Sequence, residues 1–313
     1  MRVQSGLLML SVAALPATAV AQTYPSKPVR IVTAGAGGGS DQATRLIAPH
    51  LATLLGQQVI VDNRGLLAAD VAAKAPPDGY TLLLSGGTLW LLRFMRDHVS
   101  ADIGDFTPVS LATETANILV VHPALPAKSV QDLIALAAAR PGQLNYATSG
   151  TGNSVHIAAE LFKSMTGLNV VRINYKGASQ ALTELMSGQT QYMFGVPGSV
   201  TPHVSAGRLR AIAVTSAKPT PLAPGLPTVS ATLPDYEQVS RLAIFAPAGT
   251  PSSIVARVSQ DIVTVLSRQD VRDKFRSTGV EAVGSSPEAL GALVKSEMER
   301  MGKVIKDAGI RAE

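Results

Sequence analysis

Residues 145–160 read NYATSGTGNSVHIAAE, a strand end, a loop of Ser, Thr, Gly and Asn, and a helical run whose first turn faces that loop. Such a junction holds anions. Its glycines let backbone approach a ligand, and the unpaired N–H groups at a helix start carry partial positive charge that favours a carboxylate or phosphate. Thr148, Ser149, Thr151, Asn153, Ser154 and His156 supply the polar groups. The same residues also suit a bland role, capping the helix and shaping its turn, and both readings stand on this stretch alone. A second glycine-rich junction, GAGGGSD at 35–41, follows the apolar β-branched run 29–33 and precedes a helical pattern at 42–55.

Catalytic readings of these residues are weak. Gly35 and Gly37 open a G-x-G, but Ser40 stands where a dinucleotide fingerprint needs its third glycine. The acidic Asp62 beyond it runs into Asn63-Arg64 in a loop. No G-x-x-x-x-G-K-[ST] exists, so a P-loop is excluded. Ser149 and His156 form half a triad on paper, yet no G-x-S-x-G elbow surrounds Ser149. His50, His98, His122, His156 and His203 are mutually isolated, so no metal ligand set is expected, and no cofactor is. Asp41 reads as an acid in a helix's first turn and Asp78 as the turn residue of PDGY.

The elements around these loops place them in an exported α/β protein. The chain opens with Arg2, an apolar run at 6–15 and small residues ending Ala19-Val20-Ala21, the pattern of a secretory signal peptide cleaved near Ala21. The run is shorter than the roughly 18 residues a membrane-spanning helix needs. With no cysteine there is neither a disulfide framework nor a thiol for a lipid anchor, which fits a periplasm. The formal charge of +5 is scattered along the chain and only 4% of residues are aromatic, which argues against nucleic-acid binding.

Strand and helix patterns alternate: strands at 29–33, 58–61, 80–84, 118–121, 145–147, 170–174 and 209–214, and helices at 42–55, 68–74, 129–139, 155–166, 178–187 and 252–266. Alternation of this kind predicts mainly parallel sheets with ligand loops at the strand carboxyl ends. LVVHP at 119–123 and IFAPAGTP at 244–251 look like crossings between lobes. They divide the chain into a leader (1–21), a discontinuous first lobe (22–122 plus 244–313) and a second lobe (123–243), with a cleft between the lobes, a favoured place for a ligand. Pro49, inside the first helical pattern, is expected to kink or shorten that helix at a cost of about 3 kcal/mol.

Strung in order, YPSKPVRIV, GGGSDQATR, VDNR, PDGYTLL, DFTPVS, LVVHPALPAKSVQDLIALAAARPGQLNYATSGTGNSVH, INYKGASQALTELMSGQ, AGRLRAIAVTS, IFAPAGTP and SEMERMGKVIKDAGI resemble the Bug/TctC family. These are the periplasmic solute-binding proteins of tripartite tricarboxylate transporters. The resemblance spans essentially all of the chain after the leader. It implies a two-lobed α/β periplasmic-binding-protein fold of the Venus-flytrap type, a small carboxylate ligand, membrane permease subunits as partners, a monomer, and no catalysis. In the family the loop at Ala36, Gly37, Gly38, Gly39, Ser40 and Asp41 faces the loop from Thr148 through His156, and the two hold ligand carboxyl groups by backbone amides, hydroxyls and bridging water. Ser85, Gly87, Thr88, Lys176, Gly177, Val196 and Ser199 would line the remainder.

Three departures from the family pattern fall in the implied cleft. Thr33-Ala34 replace the usual Pro-Phe, the N-R-P-G-A-G-G-N-type loop is cut to Asn63-Arg64-Gly65-Leu66-Leu67, and Gly195 stands where an Asp is common. The sole tryptophan, Trp90, either covers a ligand or packs as a wall between sheet and helix. The leading functional expectation is a receptor that captures a small carboxylate and delivers it to a permease. A periplasmic ligand sensor and a secreted serine hydrolase using Ser149 and His156 are the alternatives.

Overall fold

The β-branched run Val29–Thr33 (β1) is buried along nearly its whole length and forms an interior strand of a sheet. A computed structural model describes residues 24–311, so the expected leader and its cleavage point lie outside the described residues. After β1 come α1 (Gly39–Leu55), β2 (Val59–Asn63), α2 (Ala68–Ala73), β3 (Thr81–Gly86), α3 (Thr88–Leu91) and β4 (Phe106–Ala116). The chain continues through β5 (Ile118–Val121), α4 (Val130–Ala139), β6 (Asn145–Ser149), α5 (Ser154–Thr166), β7 (Val171–Tyr175), α6 (Ala178–Met186), β8 (Tyr192–Gly195), α7 (Pro197–Ser205) and β9 (Arg210–Val214). It closes with β10 (Val239–Pro247), α8 (Ser252–Ser267), α9 (Gln269–Ser277), β11 (Glu281–Ala282) and α10 (Pro287–Asp307).

Two sheets result, ordered β11-β4-β10-β3-β1-β2 and β7-β6-β8-β5-β9. Both are mixed, which corrects the expectation of mainly parallel sheets. β1 lies parallel to β2 and β3, and β6 parallel to β7 and β8. β10, however, runs antiparallel to β3 and β4, and β5 antiparallel to β8 and β9. The antiparallel members are the segments by which the chain arrives in or leaves a sheet, and their direction is set by the crossing, which hydrophobic periodicity does not report.

The sheet change falls at Asn117, between β4 and β5, and the return falls between β9 and β10. Both lie earlier than the lobe boundaries expected at 122 and 244, because the apolar run 118–121 is itself a strand of the second sheet and β10 already begins at Val239. The crossings are stitched together. Asn117 N–H donates to Thr215 Oγ1 (2.8 Å), Thr215 N–H to the Asn117 carbonyl (2.9 Å), and Gln238 N–H to the Thr215 carbonyl (2.9 Å), all three residues being buried.

Pro49 neither ends α1 nor shortens it, contrary to expectation: the helix runs from Gly39 to Leu55 around it. Pro49 and Arg45, the residue whose carbonyl loses its helical partner, both lie on the exposed side, where water can take the lost bond. The apolar face, with Ala43, Ile47, Leu51 and Leu55, packs in a core beneath β1, β3 and α8.

A second core joins α3, α5 and α10 to the crossing strands and buries Trp90, Phe162, Phe194, Tyr236 and Phe245. At its edge Arg241 of β10, itself buried, meets three carboxylates: Nε to Glu114 at 2.6 Å, Nη2 to Glu237 at 2.7 Å and Nη1 to Glu297 at 3.1 Å. Trp90 Nε1 donates to the second oxygen of Glu297 at 2.9 Å. Burial pushes the Glu297 carboxyl above its ordinary range, against the pull of Arg241 and Trp90. Removing one partner of such a buried cluster leaves a charge uncompensated in the interior. Arg241→Ala is therefore expected to destabilise the fold by about 3–5 kcal/mol, read as a fall in the guanidinium chloride midpoint; an unchanged midpoint would show that the cluster carries no net stability.

Candidate functional site

Between the two sheets lies a cavity of about 1110 Å³. Ser40 at the start of α1, Ser85 at the end of β3 and Thr88 at the start of α3 reach it from the first sheet. From the second sheet come Gly150 and Thr151 of the loop before α5, Asn174 of β7, and Val196 and Ser199 around the start of α7. The crossing strands also contribute Thr113, Thr115 and Ser240. The wall is thus built at strand ends and helix starts, where polar side chains and unpaired backbone N–H groups gather.

The loop before α5 is held in shape from within. Gly150 and Gly152 adopt φ of 83° and 77°, the left-handed region in which a side chain is strained. Gly150 N–H donates to Asn174 Oδ1 (3.1 Å), while Arg172 donates through Nη2 to the Gly150 carbonyl (3.0 Å) and to Thr151 Oγ1 (3.1 Å). Asn153 caps α5, its Oδ1 accepting from His156 N–H at 3.0 Å.

His156 is buried and its ring is committed on both sides. Nδ1 accepts from Gly152 N–H at 3.0 Å, and Nε2 faces Glu160 Oε1 at 3.7 Å. Tyr146 also donates to Glu160. Burial alone would raise the Glu160 carboxyl, but the neighbouring His156 ring and the hydrogen bond from Tyr146, with Lys163 nearby, bring it below its ordinary value. Neither imidazole nitrogen is turned to Ser149, whose carbonyl accepts from Asn153 Nδ2. The Ser149–His156 pair consequently lacks the nucleophile–base hydrogen bond that a hydrolase needs.

The first jaw is organised in the same way. Asp41 is buried, with Oδ2 accepting from Gly37 N–H at 2.8 Å and Oδ1 accepting from Asn63 Nδ2 and Arg45 Nε, each at 2.9 Å. The Gly37 amide, then Arg45 and Asn63, hold the Asp41 carboxyl down at about 2. Its acceptor capacity is spent on the loop.

Of the residues expected at the site, Gly39, Ser40, Ser85, Thr88, Thr151, Val196 and Ser199 form part of the cavity wall. Ala36, Gly37 and Gly38 of the first loop and Asp41 of α1 are not among the wall residues, nor is Gly87, which stands against Trp90. Thr148, Ser149, Asn153, Ser154 and His156 flank the wall residues Gly150 and Thr151 in sequence without lining the cavity, and Thr148 is buried and bonded to Asn174 and Arg172. Lys176 and Gly177 lie beyond the end of β7, next to the wall residue Asn174. Trp90 is fully buried and takes the packing role of its two alternatives.

Several wall residues were missed. Thr113 and Thr115 alternate about Glu114 on β4, a period-2 signal that shows only once the strand is recognised. Asp70 of α2 lines the cavity, and its Oδ1 is buried without a hydrogen-bond partner among the described residues. Arg96 and His98, on the segment after α3, also line the cavity, and Arg96 adds a positive charge. Among the described residues no group of three His, Cys, Asp or Glu is placed to hold a metal ion, and no helix is long and apolar enough to cross a membrane.

Because the Asp41 carboxyl titrates near 2 in the fold against an ordinary 3.8, its contribution to stability is complete above about pH 4 and is lost as the pH falls towards 2. Thermal melts of the wild type and Asp41→Asn should accordingly differ most above pH 4 and converge between pH 4 and 2. A gap that stays constant across this window would exclude a native-state role for the ionised carboxylate.

The family model described as tripartite tricarboxylate transporter family receptor (TctC) matches residues 43–310. The "UPF0065 protein in tcbD-tcbE intergenic region" of Pseudomonas sp. (strain P51) is 34% identical over 297 residues, covering 92% of this chain and 88% of that one. Among solved structures, R. palustris Rpa4515 with adipate is 35% identical, with a TM-score of 0.73 over 92% of this chain and 99% of that one. The periplasmic binding protein BugD is 26% identical, with a TM-score of 0.70 over 93% of this chain and 100% of that one.

Proposed function

This chain belongs to the tripartite tricarboxylate transporter receptor (TctC) family, and from that premise we propose that it captures a small carboxylate in the cavity between its two sheets and presents it to the permease subunits of such a transporter in the periplasm. The observation that carries the reading is the polar wall contributed from both sides: Ser40, Ser85 and Thr88 opposite Thr151, Asn174 and Ser199. A carboxylate seated there would accept from these hydroxyls and from the N–H groups of Gly39 and Ser40 at the start of α1, which has no side-chain cap, and charge-assisted bonds of this kind are stronger than neutral ones. The adipate found with Rpa4515 has the matching acid group.

Closing the lobes requires a hinge. Asn117, Thr215 and Gln238 hold the two crossings together, so rotation about these points would bring the walls onto the ligand without disturbing either sheet. Binding without turnover is the reading that the His156 geometry supports, since both of its nitrogens serve the loop and the Glu160 contact.

The test is a thermal-shift screen of ligand-free protein against mono-, di- and tricarboxylates, aromatic acids and amino acids. A bound carboxylate at about 100 times its dissociation constant should stabilise the protein by about 2.7 kcal/mol and raise the melting temperature accordingly. Flat curves across every carboxylate would overturn the proposal.

A further inference from the structure

Leu66 is the most exposed large apolar side chain among the described residues, at 100% of its surface, and it sits on the cavity wall. It belongs to a short 3-10 turn, Gly65–Leu67, that buries no residue of its own, so packing within the fold does not account for it. A single exposed leucine is ordinary on a protein surface. What sets Leu66 apart is its company: Val196, exposed at 40%, lines the same cavity from the second sheet, and the half-buried Leu46, Leu92 and Leu242 extend the apolar wall. Beyond the hydroxyls of Ser40, Thr88 and Thr151, the cavity therefore offers hydrocarbon from both lobes. A few placed polar groups on a mainly apolar surface are the makings of a site for an amphipathic molecule.

We propose that the ligand is a carboxylic acid that carries an apolar body, an aromatic ring or an aliphatic chain, beyond its carboxylate, and that Leu66, with Val196 opposite, selects for that body. The inference rests on the cavity being the carboxylate site. The segment 63–67, Asn63-Arg64-Gly65-Leu66-Leu67, presents this side chain to the cavity. On closure Leu66 would pass from full exposure to contact with the ligand, and burying a leucine is enough to change affinity by about tenfold or more.

The deciding experiment is titration calorimetry of the purified, ligand-free protein and of Leu66→Ser with adipate, benzoate, malate and citrate. Since Leu66 packs against nothing that the fold needs, the variant should melt with the wild type. The expected result is that adipate or benzoate binds at least about tenfold more tightly than malate and citrate, and that Leu66→Ser weakens that binding about tenfold while leaving malate unchanged. Tightest binding of malate or citrate overturns the inference and leaves the receptor reading intact. So does a Leu66→Ser variant that binds every probe as the wild type does, or weakens all of them equally. Absence of binding by all four probes overturns the inference, and the broader carboxylate screen then decides the receptor reading separately.

Discussion

A chain that builds two sheets and passes between them twice must satisfy its backbone at both passages, and the rest of this structure depends on how it does so. Asn117, Thr215 and Gln238 are buried where no water can substitute, and each N–H finds an acceptor on the neighbouring crossing. Those bonds put the carboxyl end of β4 beside the amino end of β10, and the nine-position pairing of these strands follows. One face of the pair supplies Thr113, Thr115 and Ser240 to the cavity, while Glu114 and Arg241 sit between them in sequence and join the Glu297 cluster. The crossing thus fixes the cavity floor and ties the two sheets together.

The two jaws repeat one device. In each, a side chain in the first turn of a helix reaches back to accept the backbone N–H four residues earlier, Asp41 from Gly37 and His156 from Gly152. An unpaired loop amide would be a ready donor to an anion, so this bond withdraws one donor from each loop and holds the remaining wall in place. The acceptors differ in charge. Asp41 is an ionised carboxylate locked by Arg45 and Asn63, whereas the His156 ring is oriented by Glu160, and Glu160 by Tyr146. A ligand carboxylate consequently meets loops that are already formed, and less of its interaction energy goes into ordering them.

The glycine loops, the helix starts and the alternation of elements were legible because each leaves a local pattern of residue types. Asp41 shows where that stops. Its position in a helix's first turn was readable, but its inward direction depends on Asn63, which lies on the neighbouring strand and is remote in sequence. Equally, FTPVSLATETA carries a proline and four threonine or serine residues, so β4 lacks the apolar signature of a buried strand although most of it is buried. Strand direction was illegible for a related reason: alternation reports which face is buried and is silent on which way the chain runs. Three of the cavity side chains missed by sequence reasoning, Thr113, Thr115 and Ser240, lie on these crossing strands.

The residue at 195 shows why the departures from the family pattern belong to the packing as much as to the ligand. Gly195 ends β8 and is buried, and a Cβ built there would overlap Cγ1 of Val200, which is itself fully buried in α7 against β8. An aspartate at this position would need Val200 to move and would also need its charge paired in an apolar cluster that contains Val120, Leu185 and Met193. Gly195 and Val200 therefore form one packing arrangement, in which the valine fills the space that a side chain at 195 would need. The start of α7, with Val196 and Ser199 on the cavity, rides on that packing. The shape of this stretch of the wall is accordingly set partly by Gly195 and Val200, which do not line the cavity.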